Sequence, residues 1–361
     1  MQPTIEILDR IRKNSRDNKE EIFTRLYRYL LRPDLYYLAY KNLYANKGAG
    51  TKGVNDDTAD GFSKEKVDRI IQSLADGTYT PNPVRRKYIQ KKQNSTKKRP
   101  LGIPTFTDKL VQEVLRMILE SVYEPIFSNN SHGFRPNRSC HTALKSLKRE
   151  FSGVSWFIEG DIKGCFDNID HQVLANVINA KIKDARLIQL IWKFLKAGYM
   201  EDWQYHATYS GCPQGGIVSP ILANIYLNEL DKFVEKTAKE FYKSRDRHHT
   251  SEYDKVTWQI KKAQKQLKTA TGQEKTALLQ KIAQLKAVMH KTPCMSKTDK
   301  VIKYIRYADD FILGVKGDKA DCERIKRQLS DFISQTLKME LSEQKTLITH
   351  SNPVSYTHLR A

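Results

Sequence analysis

The chain has 361 residues, of which 39% are hydrophobic, enough for two or three domains or for one large core with subdomains. Its 62 Lys and Arg residues outnumber its 41 Asp and Glu residues and give a formal charge of +21. This excess favours a polyanionic partner over an acidic small molecule. Nucleic acid is the first hypothesis, although charge alone does not separate a nucleic-acid enzyme from a ribosome-associated or membrane-surface protein.

The cysteines and the N-terminal segment indicate the cellular compartment of the protein. The five cysteines are scattered, with no C-x-x-C pair and no histidines at the spacing of zinc ligands, and we interpret them as reduced thiols of a cytoplasmic protein. The N-terminal segment is charged from its first turns, and no apolar run approaches the roughly 20 residues that span a bilayer. The sequence therefore indicates neither export nor a membrane partner.

The first predicted elements are helices over residues 5–45, interrupted at Arg32 and Pro33. They end in a glycine-rich basic loop at residues 46–53 (NKGAGTKG), which lacks the patterns of a phosphate cradle and is predicted to line a nucleic-acid strand. A basic β-hairpin follows at residues 85–99, where eight of fifteen residues are Lys or Arg and none is acidic. Taken alone, that stretch is interpreted equally well as a solvated charge run.

The middle of the chain is predicted to contain both helices and a strand. Residues 110–122 have the spacing of an amphipathic core helix. A buried strand at 156–162 is followed by helices at about 170–181 and 184–197, and this order predicts an α+β domain.

Residues 231–300 differ in composition, with 17 Lys or Arg against 8 Asp or Glu. We interpret them as a basic helical hairpin inserted into the fold; the alternative is an exposed insertion with no ligand. Two β-rich runs at 301–308 and 311–315 then predict a hairpin whose tip carries two carboxylates, and a helix follows at about 319–337.

Asp309 and Asp310 stand at that predicted tip. Like charges held together raise each other's pKa unless a cation neutralises them, and oxygen ligands with no nearby His or Cys favour Mg²⁺. Asp161, at the end of an apolar strand, is the natural third carboxylate, and two metal ions held by such a triad can catalyse nucleotidyl transfer. Considered one at a time, Asp309 and Asp310 would be better interpreted as ordinary turn residues and Asp161 as a strand cap, because Asp is common at turns.

Six motifs occur in order along the chain. They are residues 99–104 (RPLGIP), 133–138 (GFRPNR), 161–169 (DIKGCFDNI), 213–220 (PQGGIVSP), 307–310 (YADD) and 341–346 (LSEQKT). With these motifs the sequence resembles a bacterial group II intron-encoded reverse transcriptase, also called a maturase.

The resemblance implies the fingers and palm of a right-hand polymerase. Its parts would be a helical N-terminal extension with a template-contacting loop at 1–80, fingers at 81–150, palm at 151–230 and 301–350, and the basic helical insertion at 231–300. Residues 351–361 do not match the family, so we expect a chain without the family's thumb.

The resemblance also implies roles for single residues. Asp161, Asp309 and Asp310 would be the catalytic ligands of two Mg²⁺ ions, with the backbone carbonyl of Ile162 as a further ligand. The implied nucleotide contacts are Lys91 and Arg99 on the triphosphate, Phe166 as the gate against a ribose 2′-hydroxyl, Gln214 beside the nucleotide and Lys345 as general acid for pyrophosphate. Lys92, Lys97 and Lys98 compete with Lys91, and an ordinary core position is the alternative for Phe166. The implied nucleic-acid contacts are Asn46, Lys47, Lys52, Arg135 and Tyr307.

The implied partners are an intron RNA template, a DNA primer or target DNA, and deoxynucleoside triphosphates (dNTPs). One alternative is a maturase-type protein that binds intron RNA mainly for splicing; the intact aspartate triad disfavours it. Another is an RNA-dependent RNA polymerase, which would normally have a residue smaller than Phe166 at the sugar gate. The sequence predicts no oligomeric state.

Overall fold

The computed structural model describes residues 4–46, 48–90, 98–244, 249–294 and 299–351. Its helices are α1 (Thr4–Asp17), α2 (Pro33–Tyr44), α3 (Lys64–Ala75), α4 (Phe106–Tyr123), α5 (Cys140–Glu150), α6 (His171–Asn179), α7 (Ala185–Lys196), α8 (Ser219–Phe241), α9 (Ser251–Leu267), α10 (Gly272–Lys291) and α11 (Lys319–Gln335). Its strands are β1 (Val84–Gln90), β2 (Lys98–Ile103), β3 (Trp156–Asp161), β4 (Tyr199–Glu201), β5 (Gln204–His206), β6 (Val301–Tyr307), β7 (Asp310–Lys316) and β8 (Ile348–His350). The predicted α+β class is confirmed.

The core is built around α4, which is buried on nearly all of its faces. Thr105 caps this helix, because its side chain accepts a hydrogen bond from the backbone N–H of Asp108. Its apolar residues, together with polar ones such as Gln112 and Glu113, are enclosed because α4 packs against α1, α2 and α8. The core helix predicted at residues 110–122 is confirmed.

The central sheet has the strand order β6-β7-β3-β8, with every neighbouring pair antiparallel. Helices α8 and α5 both contact β6, and α11 contacts β3. Side chains alternate between the two faces of a strand. Tyr304 and Arg306 accordingly reach Asp231 of α8, whereas Ile305 packs with Ala143 of α5. The hairpin predicted around the two aspartates is confirmed as β6 and β7, but only Asp309 lies in its turn: Asp310 begins β7, and Ala308, predicted as the end of the first strand, is the other turn residue.

A second sheet, the basic sheet, has the order β2-β1-β4-β5. Its antiparallel strands β1 and β2 confirm the basic hairpin predicted at residues 85–99. The small hairpin of β4 and β5 joins it through parallel pairing of β4 with β1, and the sequence patterns did not predict it. Each of these two strands has only three residues, which is too short for a periodic pattern to show.

The predicted basic insertion is confirmed as a helical hairpin of α9 and α10. Ile260 and Ala263 of α9 and Ile282 of α10 are buried. At its base, the backbone N–H of Thr250 donates to the carbonyl of Cys294. The boundary predicted at residue 231 falls inside α8, which continues to Phe241. No helix in the described ranges is long and apolar enough to cross a membrane.

Candidate active site

Asp161 and Asp310 meet across two neighbouring strands of the central sheet. The register of β3 and β7 pairs them directly. Tyr307 also pairs with Asp310, so Ala308 and Asp309 form the two-residue turn of the hairpin. Ala308 has a φ of 56°, a left-handed conformation that residues other than glycine rarely adopt. Strand register and a tight turn thus gather the three predicted catalytic aspartates at one end of the sheet.

The three carboxylates are electrostatically unfavourable to one another. Burial, followed by the charges of Asp309 and Asp161, raises the pKa of Asp310 to about 6. Burial is also the main cause that raises the pKa of Asp309. Nζ of Lys345 lies 3.0 Å from Oδ2 of Asp161, and this hydrogen bond raises the pKa of the lysine. One lysine offsets only part of the charge of three carboxylates, so the site favours additional cations.

The donor set fits a divalent cation. All three side chains offer carboxylate oxygens, which suit Mg²⁺. Ile162, whose carbonyl is a predicted ligand, follows Asp161 directly and forms an isolated β-bridge with Leu341. Among the residues that the structure describes, no group of three His, Cys, Asp or Glu side chains forms a ready-made metal cage. Mg²⁺ usually binds one or two carboxylates and takes further ligands from water and substrate phosphates, so an open arrangement suits it.

The segment of residues 130–133 supports the turn from one side. His132 donates its backbone N–H to the carbonyl of Arg306, at 2.9 Å, and Arg306 donates to the carbonyl of Asn130, at 2.8 Å. A Cβ added to Gly133 would lie 2.3 Å from the backbone nitrogen of Ala308. A side chain at position 133 would therefore displace the turn that carries Asp309.

Beneath the turn lies a buried ion pair that sequence reasoning missed. The side chains of Arg306 and Asp231 have no solvent exposure, and Nη2 of Arg306 lies 2.6 Å from Oδ2 of Asp231. The same guanidinium donates to the carbonyl of Ala308 at 2.8 Å, to Oδ1 of Asn224 and to Oγ of Ser131. Arg306 therefore ties the strained turn residue to α8. The available signal was a charged residue in an apolar strand, which needs a buried partner.

Phe166 and Gln214 lie at a common corner of the structure. Phe166 belongs to the 3-10 helix Cys165–Asp167 that follows β3, and its ring packs edge to face with that of Phe134, at a centroid distance of 6.1 Å. The backbone N–H of Cys212 donates to the carbonyl of Phe166 at 2.7 Å. Nε2 of Gln214 lies 3.2 Å from Oδ2 of Asp167, a residue with no role predicted from the sequence. These contacts bring two of the predicted nucleotide-binding residues together.

Strand β2 borders this corner. The backbone N–H of Gly102 donates to the carbonyl of Gln214 at 2.6 Å. Gly215 has a φ of 107°, and a Cβ there would lie 2.5 Å from the carbonyl oxygen of Gly102, so only glycine fits. Arg99 is an exposed residue of β2. Lys91, the second predicted triphosphate contact, lies outside the described residues.

The glycine-rich loop lies against the same strand. Nζ of Lys109, a buried residue of α4, donates to the carbonyls of Gly48 and Thr51 at 3.1 and 2.9 Å. Lys52 is exposed and pairs with Asp56 at 2.7 Å. A cavity of about 200 Å³ is lined by residues that include Asn46, Gly48, Leu101, Gly102 and Gly215. Lys47 lies outside the described residues.

Arg135 and Tyr307, two predicted nucleic-acid contacts, differ in exposure. The side chain of Arg135 is only 3% exposed, pairs with Glu124 at 2.9 Å and donates to the carbonyls of Ser128 and Ser131. Its guanidinium is engaged inside the fold, where it supports the segment beside the turn. Tyr307 is 39% exposed and lines a cleft of about 620 Å³ with Asp161, Asp310 and Lys345. Contact with nucleic acid stays a prediction for both residues.

The fold and the aspartate cluster are those of a template-dependent polymerase palm. Residues 89–359 match the family described as "Reverse transcriptase (RNA-dependent DNA polymerase)". The chain belongs to this family. The family implies dependence on a divalent metal cation, which agrees with the carboxylate donor set.

The relatives narrow the class further. The chain is 64% identical over 352 residues to "Group II intron-encoded protein LtrA" of Lactococcus lactis subsp. cremoris, covering 98% of this chain and 59% of the relative. It is 43% identical to an uncharacterized 91 kDa protein in the cob intron of Schizosaccharomyces pombe, covering 95% of this chain and 42% of that protein. The chain thus spans about three fifths or less of these relatives. The predicted resemblance to group II intron-encoded reverse transcriptases is confirmed.

Among solved structures, apo telomerase from Candida tropicalis, truncated from its C-terminal domain, aligns with a TM-score of 0.45 and 14% identity. The alignment covers 75% of this chain and 50% of that chain.

Proposed function

We propose that this chain carries the polymerase site of an RNA-directed DNA polymerase that copies intron RNA from a DNA primer. The observation that carries the proposal is the strand register that sets Asp161 opposite Asp310, with Asp309 in the adjoining turn. Holding three carboxylates together is costly unless cations bind them. The relative named as a group II intron-encoded protein supports intron RNA as the template.

Asp161, Asp309, Asp310 and the carbonyl of Ile162 would hold two Mg²⁺ ions. When bound, such ions activate the primer 3′-hydroxyl and stabilise the leaving pyrophosphate. Lys345, whose Nζ lies 3.0 Å from Oδ2 of Asp161, would protonate pyrophosphate, because its ammonium group is a proton donor beside the aspartates. Activity in the cytoplasm agrees with five cysteines that form no disulfides among the described residues.

The corner formed by Phe166 and Gln214 would bind the dNTP. The Phe166 ring would exclude a ribose 2′-hydroxyl, and the close approach of Gly215 to Gly102 would let the backbone come near the base. Arg99 and Lys91 would bind the triphosphate, since cationic side chains form strong charge-assisted hydrogen bonds with phosphate. A smaller side chain at 166 would admit ribonucleotides.

The loop at residues 46–53 would guide the template, with Asn46, Lys47 and Lys52 as contacts. Its hydrogen bonds to Lys109 and the cavity that it shares with Gly102 and Gly215 support this role. Tyr307 would contact the primer end in the cleft that it shares with Asp161. Arg135, being buried, would act on nucleic acid through the segment that it supports.

Primer extension with an RNA template, a DNA primer, dNTPs and Mg²⁺ tests the proposal. Asp309→Asn and Asp161→Asn should each lower the extension rate by more than about a hundredfold, because loss of even outer-shell partners of metal ligands costs about 10- to 100-fold. RNA affinity should stay near that of the wild type. Asp331→Asn, at an exposed aspartate of α11, is the matched control and should leave extension unchanged. Wild-type rates in either site variant would contradict the metal assignment.

Intron RNA binding for splicing is a second candidate function. The basic helical hairpin of α9 and α10 favours it, because none of its described residues lines the cleft that contains Asp161 and Asp310. The two functions separate in one variant: Asp309→Asn should lose primer extension but keep any stimulation of intron splicing. Equal loss of both activities would indicate that the aspartates also serve RNA folding.

A further inference from the structure

The helical hairpin of α9 and α10 carries a row of lysines that the proposed polymerase site does not explain. From Lys255 to Gln273 the sequence contains five lysines and no acidic residue. All five are exposed: Lys255, Lys261, Lys262, Lys265 and Lys268. The hairpin contributes little to the main core, since its buried residues Ile260 and Ala263 of α9 accompany only Ile282 of α10. Packing in the main core therefore does not explain why α9 carries this positive charge.

The lysines lie on one face of α9. Successive residues of a helix rotate by about 100°. Lys255, Lys261, Lys262 and Lys265 therefore lie within about 60° of Trp258 around the helix axis, and Lys268 lies about 80° away. The buried residues Ile260 and Ala263 lie on the opposite face, at more than about 130° from Trp258. We call these five lysines and Trp258 the lysine strip; it extends about 20 Å along the helix.

The positive charge of the strip is not neutralised by the protein. Two exposed lysines elsewhere, Lys232 and Lys319, pair with glutamates of their own helices, Glu229 and Glu323. Across the described residues, by contrast, no strip lysine forms an ion pair. An uncompensated row of this kind attracts a polyanion and releases its counterions on binding.

Trp258 marks the middle of the strip as a contact surface. Its side chain is 62% exposed, although a large aromatic group is usually placed in the core or at an interface. Nζ of Lys262 lies 5.2 Å from the centroid of its ring. Trp258 also lines a shallow cleft with Lys261, Lys265 and Lys268. The strip thus combines an apolar platform with surrounding cations.

We infer that the lysine strip binds the phosphate backbone of double-stranded RNA. A band of lysines along one face of a helix suits the regular phosphates of a duplex, whereas proteins that bind single strands rely on several stacked aromatic side chains. Lysine side chains would contact the phosphates and not the bases, so binding would be independent of the RNA sequence. The inference rests on the proposed function, which supplies RNA as the partner, and it adds a second RNA contact outside the polymerase cleft.

The test compares two triple variants of the full chain. Lys261→Gln, Lys262→Gln and Lys265→Gln together neutralise the strip. Lys275→Gln, Lys281→Gln and Lys286→Gln make the same charge change on α10, where Lys275 and Lys286 lie within about 40° of buried Ile282 and form no outward row. Binding to a labelled RNA duplex of arbitrary sequence is measured by fluorescence anisotropy without dNTPs, between about 50 and 200 mM salt.

The strip variant should bind the duplex at least about tenfold more weakly, and the slope of log affinity against log salt should fall by about two to three. The α10 variant should change affinity by less than about threefold. Equal losses in both variants would show a bulk charge effect and overturn the inference, as would unchanged binding in the strip variant. Stronger loss on single-stranded RNA or anionic vesicles than on the duplex would also overturn it.

Failure of the proposed function gives a different result. Extension of a short primer-template by the strip variant should match the wild type, because the strip lies outside the aspartate site. If the wild type extends no primer but the strip variant still loses duplex binding, the polymerase proposal fails and the RNA contact stands. If extension is normal and duplex binding is insensitive to the strip, only the inference fails.

Discussion

The buried pair of Arg306 and Asp231 should be the most sensitive point beneath the candidate active site. Asp231→Asn removes the carboxylate that lies 2.6 Å from the guanidinium, while the arginine keeps a charge that has no access to solvent. Removal of one partner from a buried pair costs about 3–5 kcal/mol. A domain is stable by only about 5–15 kcal/mol, so the variant should lose a large part of its free energy of unfolding.

A double variant separates stability from positioning. Asp231→Leu combined with Arg306→Met removes both charges, and apolar replacement of a buried pair is often close to neutral. Part of the stability should therefore return. The Ala308 carbonyl, however, loses the donor that lies 2.8 Å away, and the turn that carries Asp309 loses its link to α8. We expect kcat to stay at least about tenfold below the wild type, because small misplacements at a catalytic centre are costly.

Urea unfolding and primer extension measure the two effects. Lys232→Met is the matched control: it breaks the exposed pair with Glu229 on the same helix and should cost about 0–1 kcal/mol. A loss below about 1 kcal/mol for Asp231→Asn would refute the argument that the buried charge needs its partner. A double variant with wild-type kcat would refute the role of Arg306 in positioning the turn.

Two further predictions concern substrate selection and pH. Phe166→Val should raise ribonucleotide incorporation relative to deoxynucleotide incorporation by about tenfold or more, measured in single-nucleotide extension; unchanged selectivity would count against the gate. Asp310 has a folded-state pKa of about 6 against an ordinary value of 3.8, so metal-free folded protein retains a proton that the unfolded chain has lost. Metal-free stability should therefore fall as pH rises from about 4 to about 6. Mg²⁺ should offset this fall at pH 6 and above, and thermal unfolding with EDTA or Mg²⁺ checks it; pH-independent melting without metal would contradict it.

Local patterns predicted the parts of the site that are continuous in the chain. The hairpin around Asp309 was predictable because two apolar runs flank a two-residue turn, and the core helix α4 because its apolar residues follow helical spacing. Asp161 was predictable because a charge at the end of an apolar strand is unusual. The roles of Phe166 and Gln214 came from motif resemblance, and no spacing argument would have supplied them.

Contacts distant in sequence were not predictable in the same way. Arg306 and Asp231 are 75 residues apart, and a helical hairpin lies between them in the chain. The predicted boundary at residue 231 even assigned Asp231 to that insertion, because composition changes there while α8 continues. Lys109 directly precedes the predicted core helix, and only the structure shows its Nζ at the carbonyls of the loop.

Contacts between residues of different sequence motifs give a structural reason for the motifs. Gly133 of one motif touches Ala308 of another, and the Arg306 guanidinium joins that turn to Asn224 and Asp231 of α8. Gly102 and Gly215 approach each other in the same manner at the proposed dNTP site. Each glycine leaves room for the backbone of a segment far away in the chain. The motifs therefore mark both the reacting groups and the positions where backbone segments must touch to hold those groups in place.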